Sequence, residues 1–294
     1  MKFRLMIILA AMLAASGCSV AGPESDSAQA AKESSAAQSA LNTSDSTPAG
    51  SSDENSKAEI TLNGSSASLD KDNSSVSING STVKITSAGE YTLKGSLDDG
   101  CIIVEAPKTD KVDIYLDGVS VKNSKSAPLR VEVCGGCTVH LVEGSVNTFS
   151  DSSSNEFSAC ISSKDDLTIK GSGTLNVTGS AKHAIKSSND LRIKNGALVL
   201  NAVSAALFGE DSVEITGGNI TVENCKDGIK SEDGDTIGSV TIEEANVDIK
   251  NASGNGIEAS VSVTVKSGSV RIHSLKTPVN CKSQTLADGT VQKY

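Results

Sequence analysis

The chain has 294 residues and a formal net charge of −10 at pH 7, with 36 acidic side chains against 26 lysines and arginines. This balance argues against nucleic acid as a partner and against electrostatic docking on anionic lipid, and it suits a soluble surface protein or a site that collects cations. The chain has no tryptophan and only 2% aromatic residues, so a binding site would depend mainly on polar and charged groups.

Residues 1–17 have the features of a secretory signal peptide. A short basic segment precedes the uncharged run Leu5–Ala15, which is too short to cross about 30 Å of hydrocarbon and is expected to be removed. The following Ala-Ser-Gly-Cys resembles the lipobox of bacterial lipoproteins and implies a lipid on Cys18, although Ala15 stands where that family usually has leucine. An ordinary cleaved signal is the alternative. We expect an extracytoplasmic protein that is held to the cell membrane by its lipid anchor alone.

Residues 18–57 consist mainly of small and polar amino acids and contain no aromatic residue. Such a segment cannot bury enough apolar surface to offset its conformational entropy, so we expect a disordered tether. The remaining residues 58–294 are numerous enough for one domain with a sizeable core or for one array of repeats.

The chain has seven cysteines, of which six remain if Cys18 carries a lipid. An even number permits disulfides in an oxidising location but does not demonstrate them. The segment Cys134-Gly-Gly-Cys137 has no second pair for zinc and no neighbouring helical pattern for thioredoxin-type chemistry. A turn flanked by two cysteines, bridged or free, fits this segment at least as well.

Internal repeats predict the fold of residues 58–294. Each repeat after residue 156 opens with a small residue before an aliphatic one, at Cys160-Ile161, Ala184-Ile185, Ala206-Leu207, Gly228-Ile229, Gly256-Ile257 and Pro278-Val279. Most pairs are followed by a short run of alternating apolar and polar residues, a turn with Gly or Asn, and a second alternating run. The pattern is looser before residue 156, as expected for terminal repeats.

Such alternation predicts strands with one buried face, and a repeat of two or three short strands cannot enclose a core alone. Stacking of the repeats buries a continuous core and places equivalent strands about 4.8 Å apart. The sequence therefore predicts an all-β, single-stranded parallel β-helix with rungs of about 22–24 residues. An antiparallel β-sandwich is the competing architecture, but it would not produce register-matched repeats.

The repeats also align polar residues at the turn before the first strand of each rung. Successive rungs place there the residues Asp165-Asp166, Asn189-Asp190 and Asp211-Ser212. Carboxylates at rung spacing repel one another unless a cation lies between them, and calcium prefers such oxygen ligands. An insertion after Asp227 adds Asp233 and Asp235 in a Gly-containing loop. We expect calcium at one or more of these places; the alternative is that they are solvated turn residues.

Four segments resemble a known family, the bacterial extracellular carbohydrate-binding β-helix domain. They are residues 112–119, 163–169, 213–220 and 227–231. The resemblance covers most of residues 58–260. It implies a right-handed β-helix similar to pectate lyases, calcium along the stack, and binding of plant polysaccharides, acidic pectic ones included, without established cleavage.

The sequence departs from this family where its repeats carry Asp-Gly-Ile. The corresponding residues here are Ala159-Cys160-Ile161, His183-Ala184-Ile185, Ala205-Ala206-Leu207 and Asn255-Gly256-Ile257. Asp227 alone keeps the acid at this position. The departures weaken the expectation of calcium, and of a ligand bridged by calcium, at the other rungs.

An enzyme is the alternative function. Polygalacturonases share the architecture and carry paired aspartates, a histidine and Arg-Ile-Lys in the order found here at Asp165-Asp166, His183 and Arg192-Ile193-Lys194. However, His183 lacks flanking glycines, an additional acidic motif is missing, and no lysine stands out as the base of a lyase. We therefore assign no catalytic residue and keep a polysaccharide lyase or polygalacturonase-like enzyme as the alternative.

Non-catalytic binding of polysaccharide is the favoured interpretation. With so few aromatic rings, binding would depend on hydrogen bonds, on calcium bridges to acidic sugars, and on basic side chains such as Lys186, Arg192 and Lys194. Weak, extended binding of this kind gains from many copies on one surface. A structural spacer or adhesin is the second alternative.

Overall fold

Alternation of buried and solvent-facing side chains runs through nearly every strand of the computed structural model, which describes residues 56–294. The strands stack into a parallel β-solenoid of about nine turns, which confirms the predicted β-helix and excludes the β-sandwich. The signal peptide, Cys18 and nearly all of the tether lie outside the described residues. No helix in this part of the chain is long and apolar enough to cross a membrane.

One side of the solenoid, the first face, is a ten-stranded sheet. Its strands are β3 (Val76–Asn79), β4 (Thr82–Ile85), β6 (Cys101–Glu105), β8 (Leu129–Val133), β11 (Ala159–Ser163), β14 (His183–Ser187), β17 (Ala205–Gly209), β20 (Asp227–Ser231), β23 (Ile257–Ala259) and β26 (Val279–Asn280). All neighbours pair in parallel except β3 and β4, which are antiparallel.

The other strands form two further faces that join through three long strands. These long strands are β1 (Lys57–Gly64), β5 (Gly89–Leu97) and β7 (Val112–Asn123). The first half of β7 pairs with the second face and its second half with the third face. The chain turns between the two halves at Gly118, whose φ of 74° favours glycine.

The second face continues from these long strands with one short strand per turn. Its strands are β9 (Cys137–Leu141), β12 (Leu167–Gly171), β15 (Asp190–Ile193), β18 (Ser212–Ile215), β21 (Ser239–Ile242), β24 (Ser262–Val265) and β27 (Ser283–Leu286). The third face consists of β10 (Val146–Asp151), β13 (Thr174–Gly179), β16 (Ala197–Ala202), β19 (Asn219–Asn224), β22 (Ala245–Ala252), β25 (Gly268–Ser274) and β28 (Val291–Lys293).

In-register pairing stacks similar side chains inside the solenoid. On the first face, Ile161 pairs with Leu129 and Ile185, and the same column continues through Leu207, Ile229, Ile257 and Val279. The second position of each predicted small–aliphatic pair is therefore an inward core position, as expected from the repeats. Because such side chains are almost fully buried, truncating one to alanine should cost about 2–5 kcal/mol.

The N-terminal end of the solenoid departs from the parallel pattern. The strand β2 (Ala67–Leu69) pairs antiparallel with β1, and β3 pairs antiparallel with β4. These two hairpin-like pairs cover the first turn, which agrees with the expectation that terminal repeats differ from the rest.

The last residue of β12, Gly171, must be glycine for two separate reasons. Gly171 has a φ of 116°, and a Cβ atom there would overlap the carbonyl oxygen of Leu141 on the preceding rung. Gly136 has a similar φ of 133°, but a Cβ atom there would meet nothing within 4 Å. At both positions any other residue would have a strained backbone, but only at Gly171 is there no space between the rungs for a side chain.

Replacing each glycine with alanine should separate these two effects. Gly136→Ala should lower the free energy of unfolding by about 1–3 kcal/mol through backbone strain alone. Gly171→Ala should cost about 1–3 kcal/mol more, because the rungs must also move apart. Chemical denaturation of both variants measures the difference, and equal losses would contradict the close approach of rungs at Gly171.

Candidate functional site

The predicted stacking of the acidic turn residues is present. Asp190 pairs with Ser212 on the next rung, and its N–H donates to Asp166 Oδ1 at 3.3 Å on the preceding rung. The neighbouring column aligns Asn189 with Asp211, whose N–H donates to the Asn189 carbonyl oxygen at 3.2 Å. Residues that are about 24 positions apart in sequence therefore lie on adjacent rungs.

The cation between the stacked carboxylates is a side chain of the protein. Arg192 donates from Nη1 to Asp166 Oδ2 at 3.0 Å and from Nη2 to Asp190. Its Nε also lies 3.7 Å from Glu214 Oε2 on the following rung. One guanidinium group therefore relieves the repulsion among acids of three successive rungs. Arg192, predicted as a ligand-binding residue, is engaged within the protein.

Asp165 is buried and bonded to other residues of the protein. It is only 4% exposed, and its carboxylate receives the Lys108 ammonium group at one oxygen and the Cys134 N–H, at 2.9 Å, at the other. A buried carboxylate needs such partners because an unpaired charge is costly away from water. Asp165 therefore fixes the corner between β8 and β9.

The other predicted acids are spread along the solenoid. Asp211 lies at its corner, and partial burial together with the charges of Asp190 and Asp233 raises its pKa above the ordinary value. Asp233 and Asp235 are exposed in the loop after β20, where Asp235 lies 4.0 Å from Lys282. The loop acids do not converge with Asp227 on one point.

Asp227 differs from the other acids because one of its buried oxygens has no hydrogen bond. Its side chain is 2% exposed, and Oδ1 accepts the Asn255 N–H at 2.9 Å. Oδ2 is buried without a hydrogen-bond partner, and the Lys226 ammonium group lies 3.6 Å from it. The Lys226 ammonium group is thus the charge partner of this oxygen, which still lacks a hydrogen bond and could accept a further ligand.

These geometries test whether the predicted residues fit calcium. Nowhere in residues 56–294 do three or more His, Cys, Asp or Glu side chains gather as they would around a metal ion. The acids Asp165, Asp166 and Asp190 are already paired with lysine or arginine, so this stack does not fit. Asp227 fits as a single ligand, and carbonyl oxygens or water would have to supply the rest of the six to eight that calcium takes.

A polar cleft of about 190 Å³ opens on the second face beside Arg192. It is lined by Lys111, Gly135, Gly136, Cys137, Thr138, Asp166, Thr168 and Arg192. The threonines and Arg192 come from consecutive strands at the same outward position, since Thr138 pairs with Thr168 and Thr168 with Arg192. The in-register pairing of these strands therefore places the side chains that line the cleft next to one another.

A second outward column runs parallel to this cleft, two residues further along the same strands. It contains Tyr115, His140, Lys170 and Lys194. The rings of Tyr115 and His140 stack with centroids 4.1 Å apart, and His140 Nε2 lies 2.6 Å from Asp113 Oδ1. We missed Tyr115, His140 and Lys170 in the sequence, although Lys170 follows Thr168 by the same two residues that separate Lys194 from Arg192.

Among the described residues, three lysines near the cleft have no ion pair, as do several other surface lysines such as Lys122 and Lys182. Within the part of the chain that the structure describes, Lys111, Lys170 and Lys194 have no carboxylate within 4.0 Å. In contrast, Lys250 lies 2.8 Å from Glu223, and Lys266 lies 3.0 Å from Glu243. An acidic chain thus presents three unpaired cations on one face.

The structure does not bring together all of the predicted basic residues. Lys186 extends from β14 on the first face and pairs with Glu210 at 2.6 Å, so it does not share a site with Arg192 and Lys194 on the second face. These basic candidates therefore lie on two faces, because a corner of the solenoid separates β14 from β15.

The residues that matched the polygalacturonase order are also separated. His183 lies on the first face, is 4% exposed, and accepts the Ala205 N–H at Nδ1. Burial and the nearby charges of Lys182 and Lys186 lower the pKa of His183 to about 3, so the ring is neutral at ordinary pH. Asp166 and Arg192 lie on the second face, away from this imidazole.

The fold is a parallel β-solenoid with a polar cleft on its second face. Residues 79–292 match the model of a family described as carbohydrate-binding domain-containing protein, and the chain belongs to this family. A protein of that description from Acetivibrio thermocellus is 38% identical over 128 residues, which cover 41% of this chain and 45% of the relative. The chain thus matches less than half the length of that curated relative.

A solved structure shows the same architecture. The polysaccharide lyase-like protein from C. thermocellum, in a gadolinium derivative, has a TM-score of 0.77 and 32% sequence identity to this chain. The match covers 81% of this chain and 100% of the other. The similarity extends over nearly the whole described solenoid.

The buried neutral His183 should make the fold sensitive to acid. The unfolded chain takes up a proton near pH 6.5, whereas folded His183 does so only near its lowered pKa of about 3. Stability should therefore fall as pH decreases from about 6.5 towards 3. His183→Asn keeps an acceptor for the Ala205 N–H but cannot titrate.

Denaturation at pH 7 and pH 4.5 tests this expectation. The unaltered protein should lose about 2 kcal/mol more of its free energy of unfolding over this interval than His183→Asn does. The surface carboxylates titrate equally in both proteins and cancel in the comparison. Equal losses would show that His183 is not held neutral by burial.

Proposed function

We propose that this protein binds acidic polysaccharide on the second face without cleaving it. The observation that carries the proposal is the group of three unpaired lysines, Lys111, Lys170 and Lys194, beside the Tyr115–His140 stack in a chain with a net charge of −10. Its membership of a carbohydrate-binding family and its similarity to a polysaccharide lyase-like protein support a sugar polymer as the ligand.

The spacing of the lysines suits an anionic polymer. Lys170 and Lys194 occupy equivalent positions on adjacent rungs, about 4.8 Å apart at the backbone, so their ammonium groups repel each other. A carboxylate sugar placed over both would remove this repulsion. Arg192 does not supply such a contact, because Asp166, Asp190 and Glu214 already surround it.

The aromatic pair and the cleft would provide the remaining contacts. The Tyr115 ring can face the apolar side of a sugar, while Thr138 and Thr168 offer hydroxyl groups within the cleft. The site is shallow and lies on a surface of rigid strands. Binding should therefore be weak for one sugar and extend over several, with avidity from many copies if Cys18 carries the predicted lipid.

Calcium remains part of the proposal at Asp227 only. The buried Oδ2 atom without a hydrogen bond is the observation that favours a cation there. The similar C. thermocellum protein was obtained as a gadolinium derivative, and gadolinium, like calcium, is a hard ion that prefers oxygen ligands. When bound, calcium would supply a positive charge that offsets this buried carboxylate.

Retardation in affinity gels that contain polygalacturonate tests the binding site. The double variant Lys170→Ala/Lys194→Ala should bind about tenfold more weakly at low salt, since each charge contact contributes up to about 1 kcal/mol. The matched control Lys250→Ala/Lys266→Ala removes the same charge from ion-paired lysines and should bind within about twofold of the unaltered protein. Equal weakening of both variants would show that binding depends on the overall charge of the protein and not on this site.

The same gels separate the alternatives. Retardation that persists with EDTA supports direct contact with lysine, whereas its loss on chelation would assign the binding to calcium. New reducing ends or unsaturated products in the polygalacturonate would contradict the non-catalytic proposal. No retardation with any polysaccharide would favour a structural spacer or adhesin.

A further inference from the structure

The corner between β8 and β9 contains two thiols that the proposed binding site does not use. Cys134 is 1% exposed and Cys137 is 2% exposed, and both are free. Two glycines separate them, and the Gly136 N–H points at Cys134 Sγ from 3.4 Å. The backbone thus folds back on the first sulfur, and both thiols belong to the buried core.

Hydrogen bonds fix the two ends of this turn. The Cys134 N–H donates to Asp165 Oδ2 at 2.9 Å, and the Cys137 N–H donates to the Asp166 carbonyl oxygen at 3.0 Å. The first glycine between them is held as well, since the Gly135 N–H donates to the Asp110 carbonyl oxygen at 2.6 Å, whereas a Cβ atom on Gly136 would meet nothing within 4 Å. The cysteines and Gly135 are therefore held in place, and free space lies beside Gly136.

We propose that Cys134 and Cys137 are a disulfide-forming pair and that their oxidation fixes one wall of the polysaccharide cleft. Gly135, Gly136 and Cys137 all line that cleft. The chain bends at Gly135, so the two cysteines lie on either side of a bend, and a disulfide between them needs Cα atoms about 4.4–6.8 Å apart. The buried Cys101, Cys160 and Cys225 have no second cysteine so near in sequence.

The reaction requires a disulfide oxidant such as oxidised glutathione. The Cys134 thiolate attacks one sulfur of the oxidant, which gives a mixed disulfide and releases one glutathione thiolate. The Cys137 thiolate then attacks Cys134 Sγ, which closes the protein disulfide and releases the second glutathione. Two protein thiols lose two protons and two electrons, and the oxidant is reduced to two thiols.

The electrostatics favour Cys134 as the attacking residue. Burial raises the pKa of both thiols, and that of Cys137 rises further because Cys134 lies close by. At Cys134 the Gly136 N–H and the charge of Lys108 oppose this rise. Since only the thiolate reacts, oxidation should be slow near pH 7 and faster at higher pH.

Differential alkylation of the full-length protein tests the pair. After incubation with oxidised glutathione at about pH 8.5, unfolding and alkylation, the peptide with both cysteines should be about 2 Da lighter than its reduced form and carry no alkyl group. The buried Cys101 and Cys160 should remain fully alkylated. Alkylation of both Cys134 and Cys137, or a link from either to another cysteine, would overturn the proposal.

Single variants provide the controls. Cys101→Ala removes a buried thiol from the first face and should leave the oxidised peptide unchanged. Cys134→Ala should leave Cys137 fully alkylated under the same conditions. A disulfide from Cys137 to another cysteine of the protein in this variant would show that another thiol is its partner and would contradict the assignment.

The effect on the cleft rests on the proposed function and has a separate readout. The oxidised protein should bind polygalacturonate about two- to tenfold more tightly than the reduced protein, because a fixed wall lowers the cost of ordering the site. A mapped disulfide with equal binding of both forms would overturn its role at the cleft. Absence of retardation in either form would instead overturn the proposed function, while the peptide mapping would still decide the disulfide.

Discussion

In-register stacking of β rungs is the constraint on which the rest of this structure depends. Each rung is too small to enclose a core, so its aliphatic side chains are buried only when the next rung presents similar residues at the same positions. The column from Leu129 to Val279 shows how far this rule extends. The same requirement permits no side chain at Gly171, where a Cβ atom would overlap the Leu141 carbonyl oxygen of the preceding rung.

Stacking also brings like charges on successive rungs close together, and other residues must offset their repulsion. A residue that is repeated on successive rungs lies about 4.8 Å, measured at the backbone, from its equivalent on the next rung. Arg192 offsets the repulsion between Asp166 and Asp190, and Lys108 offsets the charge of Asp165. Lys170 and Lys194 are left without such a partner, and we take this unsatisfied repulsion as the mark of a site for an external anion.

The fold could be predicted because its signal is repeated. The small–aliphatic pairs and the alternating runs recur every 22–28 residues, and all of the pairs except Pro278-Val279 are buried inside the solenoid. The stacking of Asp166 with Asp190 followed from the same register. What the sequence did not show was the partner of each charge, since Lys108 reaches Asp165 from 57 residues away. The sequence also did not show that Lys186 and Arg192 lie on different faces, because the corner between β14 and β15 turns consecutive strands away from each other.

Lysine footprinting tests the central claim, that the second face binds acidic polysaccharide, most directly. The folded protein is acetylated with and without polygalacturonate, and the modification of each lysine is measured by mass spectrometry. The polymer should protect Lys111, Lys170 and Lys194, and should leave Lys250 and Lys266 on the later rungs as reactive as before. Equal protection of all five lysines, or protection of Lys250 and Lys266 alone, would contradict it.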